Sequence, residues 1–156
     1  MPSKIKNLTQ LKKQRATWKR QKKTVVFTNG CFDIIHFGHV SYLRKAKAMG
    51  DVLVIALNTD ASVRKNKGPS RPINSQKDRA EVLSEFVSVD SIIFFSDETP
   101  ERLIRSLKPD VLVKGADWAI KDIAGASFVQ GYGGSVRLIK FQAGRSSSNI
   151  IKKMKA

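Results

Sequence analysis

The sequence predicts an α/β protein: a Rossmann-like, five-stranded parallel sheet with helices on both faces. Three observations carry this. Short apolar, β-prone segments alternate with stretches of helical periodicity along all 156 residues. One segment, Val52 to Leu57, is apolar throughout, as a strand covered on both faces must be. The first such segment runs into a glycine turn and a helix start, TVVFTNGCFDIIHFGH from Thr24 to His39.

In chain order, residues 1–23 place Ile5, Leu8, Leu11 and Trp18 at near-helical spacing among lysines and arginines, which predicts a basic leader helix laid on the domain. Val25, Val26 and Phe27 open the first strand. A helix beginning near Gly38 or His39 puts Val40, Leu43 and Ala46 on one face, and Gly50 stops it. Val52 to Leu57 then completes a βαβ unit. Asn58 to Asn74 is polar and broken by Gly68, Pro69 and Pro72, so a long loop is expected. Ser75 with Asp78 caps a helix turning Ala80, Leu83 and Val87 inward. Ser91 to Phe95 is the third strand. Thr99 and Pro100 fit the N-cap and first position of a helix that buries Leu103, Ile104 and Leu107 and ends at Pro109. Val111 to Val113 is the fourth strand, and Lys114 to Gly134 holds a short helix and a glycine-rich turn. Its GYGG follows no strand and precedes no helix, so it is not a phosphate loop. Ser135 to Phe141 forms the fifth strand, and Ser146 to Ser148 cap a last helix with Ile150, Ile151 and Met154 inward. Without repeats or low-complexity tracts, residues 1–156 are expected to form a single domain.

Hydrophobic content of 41% and charged content of 27% are those of a soluble globular protein. The longest apolar run is far too short to span a bilayer, so no membrane insertion is expected. No apolar core follows the basic N-terminus, and Cys31 is the lone cysteine; the expected compartment is the cytoplasm. The net charge of +16 suggests nucleic acid at first sight. Its distribution argues otherwise. Residues 1–23 carry nine Lys or Arg and residues 145–156 four more, with no acid in either stretch, whereas the body between them is nearly balanced. Solvated basic ends explain this without a nucleic-acid partner.

The chemistry concentrates in Thr24 to His39. A helix start leaves amide N–H groups unpaired and partly positive, which attracts phosphate. Gly38, without a Cβ, lets a bulky anion approach between His36 and His39, and each imidazole can donate to a phosphoryl oxygen as charge builds on it. This is equipment for phosphoryl or nucleotidyl transfer. Zinc would need further ligands that the chain, with no other His or Cys, does not supply at suitable spacing, so no metal site is expected from protein side chains. Cys31 has no identifiable partner to activate it as a nucleophile. Three more clusters fall at predicted strand ends, where ligands of such sheets bind. These are Arg64 to Arg71, Lys114 to Trp118, and Gly144 to Asn149.

NGCFD followed by HFGH resembles the HxGH nucleotidyltransferase superfamily. The longer string VVFTNGCFDIIHFGHVSYLRKAK is similar to the adenylyltransferase domain of bacterial ADP-heptose synthases, and the leader extends the likeness over nearly the whole chain. The resemblance implies transfer of AMP from ATP to D-glycero-β-D-manno-heptose 1-phosphate, giving ADP-heptose for lipopolysaccharide and pyrophosphate, with Mg²⁺ as cofactor. It implies catalytic roles for His36, His39 and Arg145. Nucleotide contacts would come from Thr28, Asn29, Gly30, Cys31, Phe32, Asp33, Gly38, Lys114, Gly115, Asp117, Ser146, Ser147 and Ser148. Trp118 would add a wall on the nucleotide side. Arg64, Lys67 and Arg71 would grip the sugar phosphate, and Arg79 would reach the phosphates. Asp33 is expected to organise its loop or assist Mg²⁺, because a phosphate dianion needs no deprotonation to attack. A homo-oligomer is expected, with a separate sugar kinase and phosphatase upstream, since 156 residues leave no room for a fused kinase. Two alternatives stand beside this: a CTP-dependent cytidylyltransferase acting on glycerol 3-phosphate or a similar alcohol phosphate, and a non-catalytic RNA-binding protein using both basic ends.

Overall fold

The computed structural model describes residues 3–156; residues 1 and 2 of the predicted leader and domain lie outside the described residues. Its five strands are β1 (Val25–Gly30), β2 (Val52–Asn58), β3 (Ser91–Phe95), β4 (Val111–Gly115) and β5 (Ser135–Ile139). All pair in parallel, in the order β3-β2-β1-β4-β5. Parallel neighbours require crossovers, and the helices supply them: α1 (Leu8–Arg20), α2 (Phe37–Lys47), α3 (Asp60–Lys67), α4 (Gln76–Ser84), α5 (Glu101–Leu107), α6 (Ala126–Gly131) and α7 (Ser147–Lys155), with a 3₁₀ turn at Ile120–Asp122.

Side chains alternate between the two faces of a strand, so each face builds its own core. Val25, Phe27, Val54 and Leu112 face Leu11 of α1, Leu103, Ile104 and Leu107 of α5 and Val129 of α6. Val26, Leu53, Ile55 and Val113 face Tyr42, Leu43 and Ala46 of α2 and Ala80 and Leu83 of α4. Every residue of β2 is buried, as its unbroken apolar sequence predicts. The chain leaves β1 to build β2 and β3 on one side, then returns to lay β4 on the other. Beyond the carboxyl ends of β1 and β4 the connections diverge and open a crevice.

Five elements differ from expectation. Ile5 is not helical; it bridges to Ile92, with Lys6 N donating to the Ile92 carbonyl at 2.8 Å, so the leader first covers the edge of β3 and only then turns into α1. The stretch Asn58 to Asn74 contains α3, because the Thr59 hydroxyl caps it at Ser62 N and fully buried Val63 anchors it. Helix α4 ends at Ser84, leaving Val87 96% exposed while Val89 enters the core in its place. Helix α7 keeps Ile150 and Ile151 half-buried but leaves Met154 78% exposed. At α5, Pro100 occupies the N-cap itself and Thr99 only weakly accepts from Glu101 N, at 3.5 Å.

Candidate active site

Strand β1 ends at Gly30, and a sharp loop with Phe32 in the left-handed region (φ 48°) turns the chain towards α2. His36 is the N-cap of that helix and His39 sits in its first turn. The two imidazoles cap it reciprocally: Gly38 N donates to His36 Nδ1 at 3.1 Å, and His36 N donates to His39 Nδ1 at 3.3 Å. An imidazole nitrogen that accepts carries no proton, so both rings hold their hydrogen on Nε2. The ring centroids are 3.9 Å apart. Burial, then His36, then Lys67 push His39 down to about 4, and burial and then Arg145 lower His36. At neutral pH the pair is therefore two uncharged Nε2–H donors. The Gly38 amide is consumed by His36, so an anion here meets imidazole before backbone. A Cβ on Gly38 would lie 2.8 Å from His36 Cε1 and 3.1 Å from Arg145 Cβ, which is why glycine stands between the histidines.

Both histidines line a cavity of about 430 Å³ at the carboxyl ends of β1 and β4. Most of the expected site residues converge there: Asn29, Gly30, Cys31, Phe32, Asp33, Gly38, Lys67, Arg71, Lys114, Gly115, Asp117, Arg145, Ser146, Ser147 and Ser148. From β4, Lys114 Nζ donates to Asn29 Oδ1 at 3.3 Å and lies 5.2 Å from the Trp118 ring; burial lowers its pKa. From the far end of the chain, Arg145 packs over Phe37, 5.5 Å from the ring centroid. The three serines that follow are used differently. Ser146 caps α7 at Asn149 N (3.0 Å), and Ser147 Oγ donates to the Ile34 carbonyl (2.9 Å), tying α7 to the histidine loop. Ser148 is exposed in the cavity.

Other assignments are redirected. The Thr28 hydroxyl is fully buried, donating to the Val113 carbonyl at 3.0 Å and lying 2.8 Å from Tyr42 OH, so it joins β1 to β4 and α2 and does not line the cavity. Arg64 is exposed on α3, outside the cavity lining. Arg79 is 1% exposed and cannot reach a phosphate there. Its guanidinium donates to the carbonyls of Asn74, Cys31 and Asn58 and pairs with Asp60 Oδ1 at 2.8 Å. It knots together the loops after β1 and β2 and the segment before α4. Asp33 does organise its loop. Burial alone would raise its pKa, but amides of Asn74 and Ile73 and the Arg71 guanidinium at 2.7 Å hold it low.

Two lining residues escaped sequence reading. Phe141, past the end of β5 and 56% exposed, lies against Gly115, where a Cβ would fall 2.2 Å from its ring. Tyr42 stacks on it at 5.9 Å. The helical spacing of Tyr42 from His39 was the available signal; nothing local marks Phe141.

Among the described residues no three His, Cys, Asp or Glu converge to hold a metal ion. Asp33 has its oxygens occupied, which leaves Asp117 as the cavity's free carboxylate. That donor set suits a hydrated Mg²⁺ arriving on a polyphosphate and does not form a protein cage. No described helix is long and apolar enough to cross a membrane.

Known proteins resemble the chain in sequence and in fold. Residues 27–153 match the cytidylyltransferase-like family model. Proteins named bifunctional protein HldE are similar in sequence: that of Wolinella succinogenes is 54% identical over 88% of this chain, that of Syntrophotalea carbinolica 47% over 97%, and that of Helicobacter pylori 50% over 93%. The chain spans only 28%, 31% and 30% of their respective lengths. Among solved structures, the lipopolysaccharide core biosynthesis protein of Thermoplasma volcanium superposes with a TM-score of 0.62 at 28% identity, covering 77% of this chain and 97% of that one. Pantoate-beta-alanine ligase of Francisella tularensis shares the fold, with a TM-score of 0.64 at 17% identity over 94% of this chain and 69% of its own. With the family model covering most of its length and the paired histidines at the head of α2, the chain belongs to the cytidylyltransferase-like nucleotidyltransferases.

Proposed function

We propose that this nucleotidyltransferase uses ATP and a sugar 1-phosphate, namely D-glycero-β-D-manno-heptose 1-phosphate, and works in the cytoplasm. The observation that carries the reading is the neutral histidine pair, held by reciprocal capping so that the Nε2–H groups remain free for phosphate. The HldE name shared by the relatives supports the sugar-phosphate acceptor. A phosphate oxygen of the acceptor attacks the α-phosphorus of ATP in line, the bond to the bridging oxygen breaks, and pyrophosphate leaves with that oxygen. No covalent enzyme intermediate forms, so the chain's task is alignment and charge stabilisation. His36 and His39 donate to the α-phosphoryl oxygens as charge grows on them; Arg145, Lys114 and the start of α7 hold the triphosphate. Asp117 would be the carboxylate available to Mg²⁺, which would supply neutralisation of phosphate charge.

The test is pyrophosphate release with Mg²⁺, ATP or CTP, and a panel of sugar and alcohol phosphates. Heptose 1-phosphate with ATP should be the fastest pair. His36→Ala and His39→Ala should each lower turnover by roughly two orders of magnitude or more while the protein stays folded. Normal turnover in both variants would remove the histidines from the mechanism. The family's description favours a second reading, cytidylyl transfer to an alcohol phosphate; faster release with CTP and glycerol 3-phosphate would select it.

A further inference from the structure

The end of the sheet remote from the cavity carries a band of cations that the proposed chemistry does not use. In a parallel sheet all strands start at one end, and the helix before each strand finishes there. Helix α1 finishes with Lys19, Arg20, Lys22 and Lys23 exposed, just before β1. Arg44 and Lys45 are exposed at the end of α2, before β2, and Lys108 is exposed between α5 and β4. Strands β2, β1 and β4 are neighbours, so these groups lie side by side. The carboxylates at this end are engaged by strand starts. Asp51 accepts from Thr24 N at 2.7 Å, Asp110 from Val25 N at 2.8 Å and from Arg15, and Asp90 from Leu53 N at 2.7 Å and from Lys47. Glu85, after α4, is exposed there without an ion-pair partner among the described residues.

Cations in the last turn of a helix complement its dipole, which accounts for Arg20 and Lys45 with no partner at all. It does not account for Lys22 and Lys108. Both stand in the left-handed region, with φ of 57° and 45°, at helix-closing positions where glycine is unstrained. Phe32, in the histidine loop, is the one other such non-glycine residue among the described residues. The chain thus keeps a lysine at two places where its own backbone favours glycine, and both face the same side of the molecule. Val87 joins them. It stands 96% exposed on the turn between α4 and β3, and the Lys47–Asp90 pair at 2.5 Å ties the end of α2 to that turn.

We propose that this face docks the protein on an anionic lipid bilayer, with Lys22 and Lys108 among the headgroup contacts and Val87 at the acyl boundary. The cavity lies at the opposite end of the sheet and stays turned to solvent. Lipid fits better than nucleic acid for two reasons. Single strands bind where bases can stack, and the exposed ring at this end, Tyr132, is tied by its hydroxyl to the Pro109 carbonyl at 2.6 Å and set edge-on to Phe128. An apolar tip among lysines has no use against a phosphodiester backbone, whereas it suits the boundary between headgroups and acyl chains.

Flotation with vesicles tests it, comparing phosphatidylcholine containing about 30% phosphatidylglycerol with phosphatidylcholine alone, in about 0.1 M salt. The protein should rise with the anionic vesicles, and stay behind with the neutral ones or in about 0.5 M salt. Lys22→Gly and Lys108→Gly should each weaken binding about fivefold, and together about thirtyfold. Thermal unfolding of these variants should move no lower, because glycine relaxes both positions. Val87→Ser should weaken binding about threefold. Lys121→Ala combined with Lys140→Ala removes the same charge beyond the other ends of β4 and β5, and should change binding by less than about twofold. No binding to anionic vesicles, no loss in the glycine variants, or an equal loss in the Lys121 and Lys140 control would overturn the proposal. A single-stranded RNA of mixed sequence supplies the competing arm. RNA binding that exceeds vesicle binding, falls in the glycine variants and ignores Val87→Ser would overturn the lipid and give the face to nucleic acid.

Discussion

Lowering the pH from about 7.5 to about 5 perturbs His39 in a way whose size can be worked out. The ordinary histidine value of 6.5 describes the unfolded chain, and the folded protein brings His39 down to about 4. Between those values the unfolded state binds a proton that the folded state refuses, so acid favours unfolding. The contribution is fully present above 6.5 and is lost as pH falls through 6.5 towards 4. At pH 5 the two protonation equilibria differ by about 2 kcal/mol, a sizeable part of a typical domain's stability. His36 and Asp33, both also lowered, push in the same direction, so wild-type stability alone does not isolate the effect. The assay is therefore a difference: urea unfolding of the wild type and of His39→Gln at several pH values. Glutamine removes the titration and changes the helix cap by an amount that does not vary with pH. The stability advantage of the wild type should shrink by about 2 kcal/mol between pH 7.5 and pH 5. A difference that stays constant over that range would refute the account of His39 as a buried neutral donor.

Gly38→Ala puts a methyl group 2.8 Å from the His36 ring, so it should cost about 1–3 kcal/mol of stability and lower turnover by displacing that ring; thermal unfolding and pyrophosphate release measure the two effects. Arg79→Met strips donors from three carbonyls and leaves Asp60 unpaired. It should destabilise by roughly 3–5 kcal/mol in urea titrations, where a purely catalytic residue would leave stability unchanged. Phe141→Ala removes the exposed ring over Gly115 and should raise the nucleotide KM about tenfold with little effect on unfolding, as loss of a stacking surface for the base would.

The sheet was legible because its strands are written in a code that tertiary context seldom overrides. Val52 to Leu57 is apolar without interruption, and only a strand covered on both faces uses such a run in so short a span. Ser91–Phe95 matches residue for residue. Helices were harder where packing, and not periodicity, decides their length. Helix α3 has one fully buried apolar side chain, Val63, so its stripe is too thin to see among six polar neighbours. Val87 continues the helical period of Ala80 and Leu83, yet the chain turns at Glu85 because Val89 must enter the next strand's layer. Met154 continues the stripe of α7 in sequence but is 78% exposed, so nothing among the described residues covers it.

The site was legible as a set of donors, and illegible as to which donors are already spent. Arg71 and Arg79 stand eight residues apart with the same chemistry, and the sequence offers no way to rank them. The fold gives them opposite fates. Arg79 faces the ends of β1 and β2, where peptide carbonyls leave the sheet unpaired, and it is saturated by them. Arg71 lies one loop further out and meets a carboxylate at a single nitrogen. The histidines show the same rule at smaller scale: each spends Nδ1 on the backbone of α2 and keeps Nε2. In a cavity proposed to bind phosphate, the donors to test first are those with an internal bond that fixes their direction together with a second N–H that no protein group takes. His36 and His39 meet that condition; Thr28 and Arg79, fully engaged, do not.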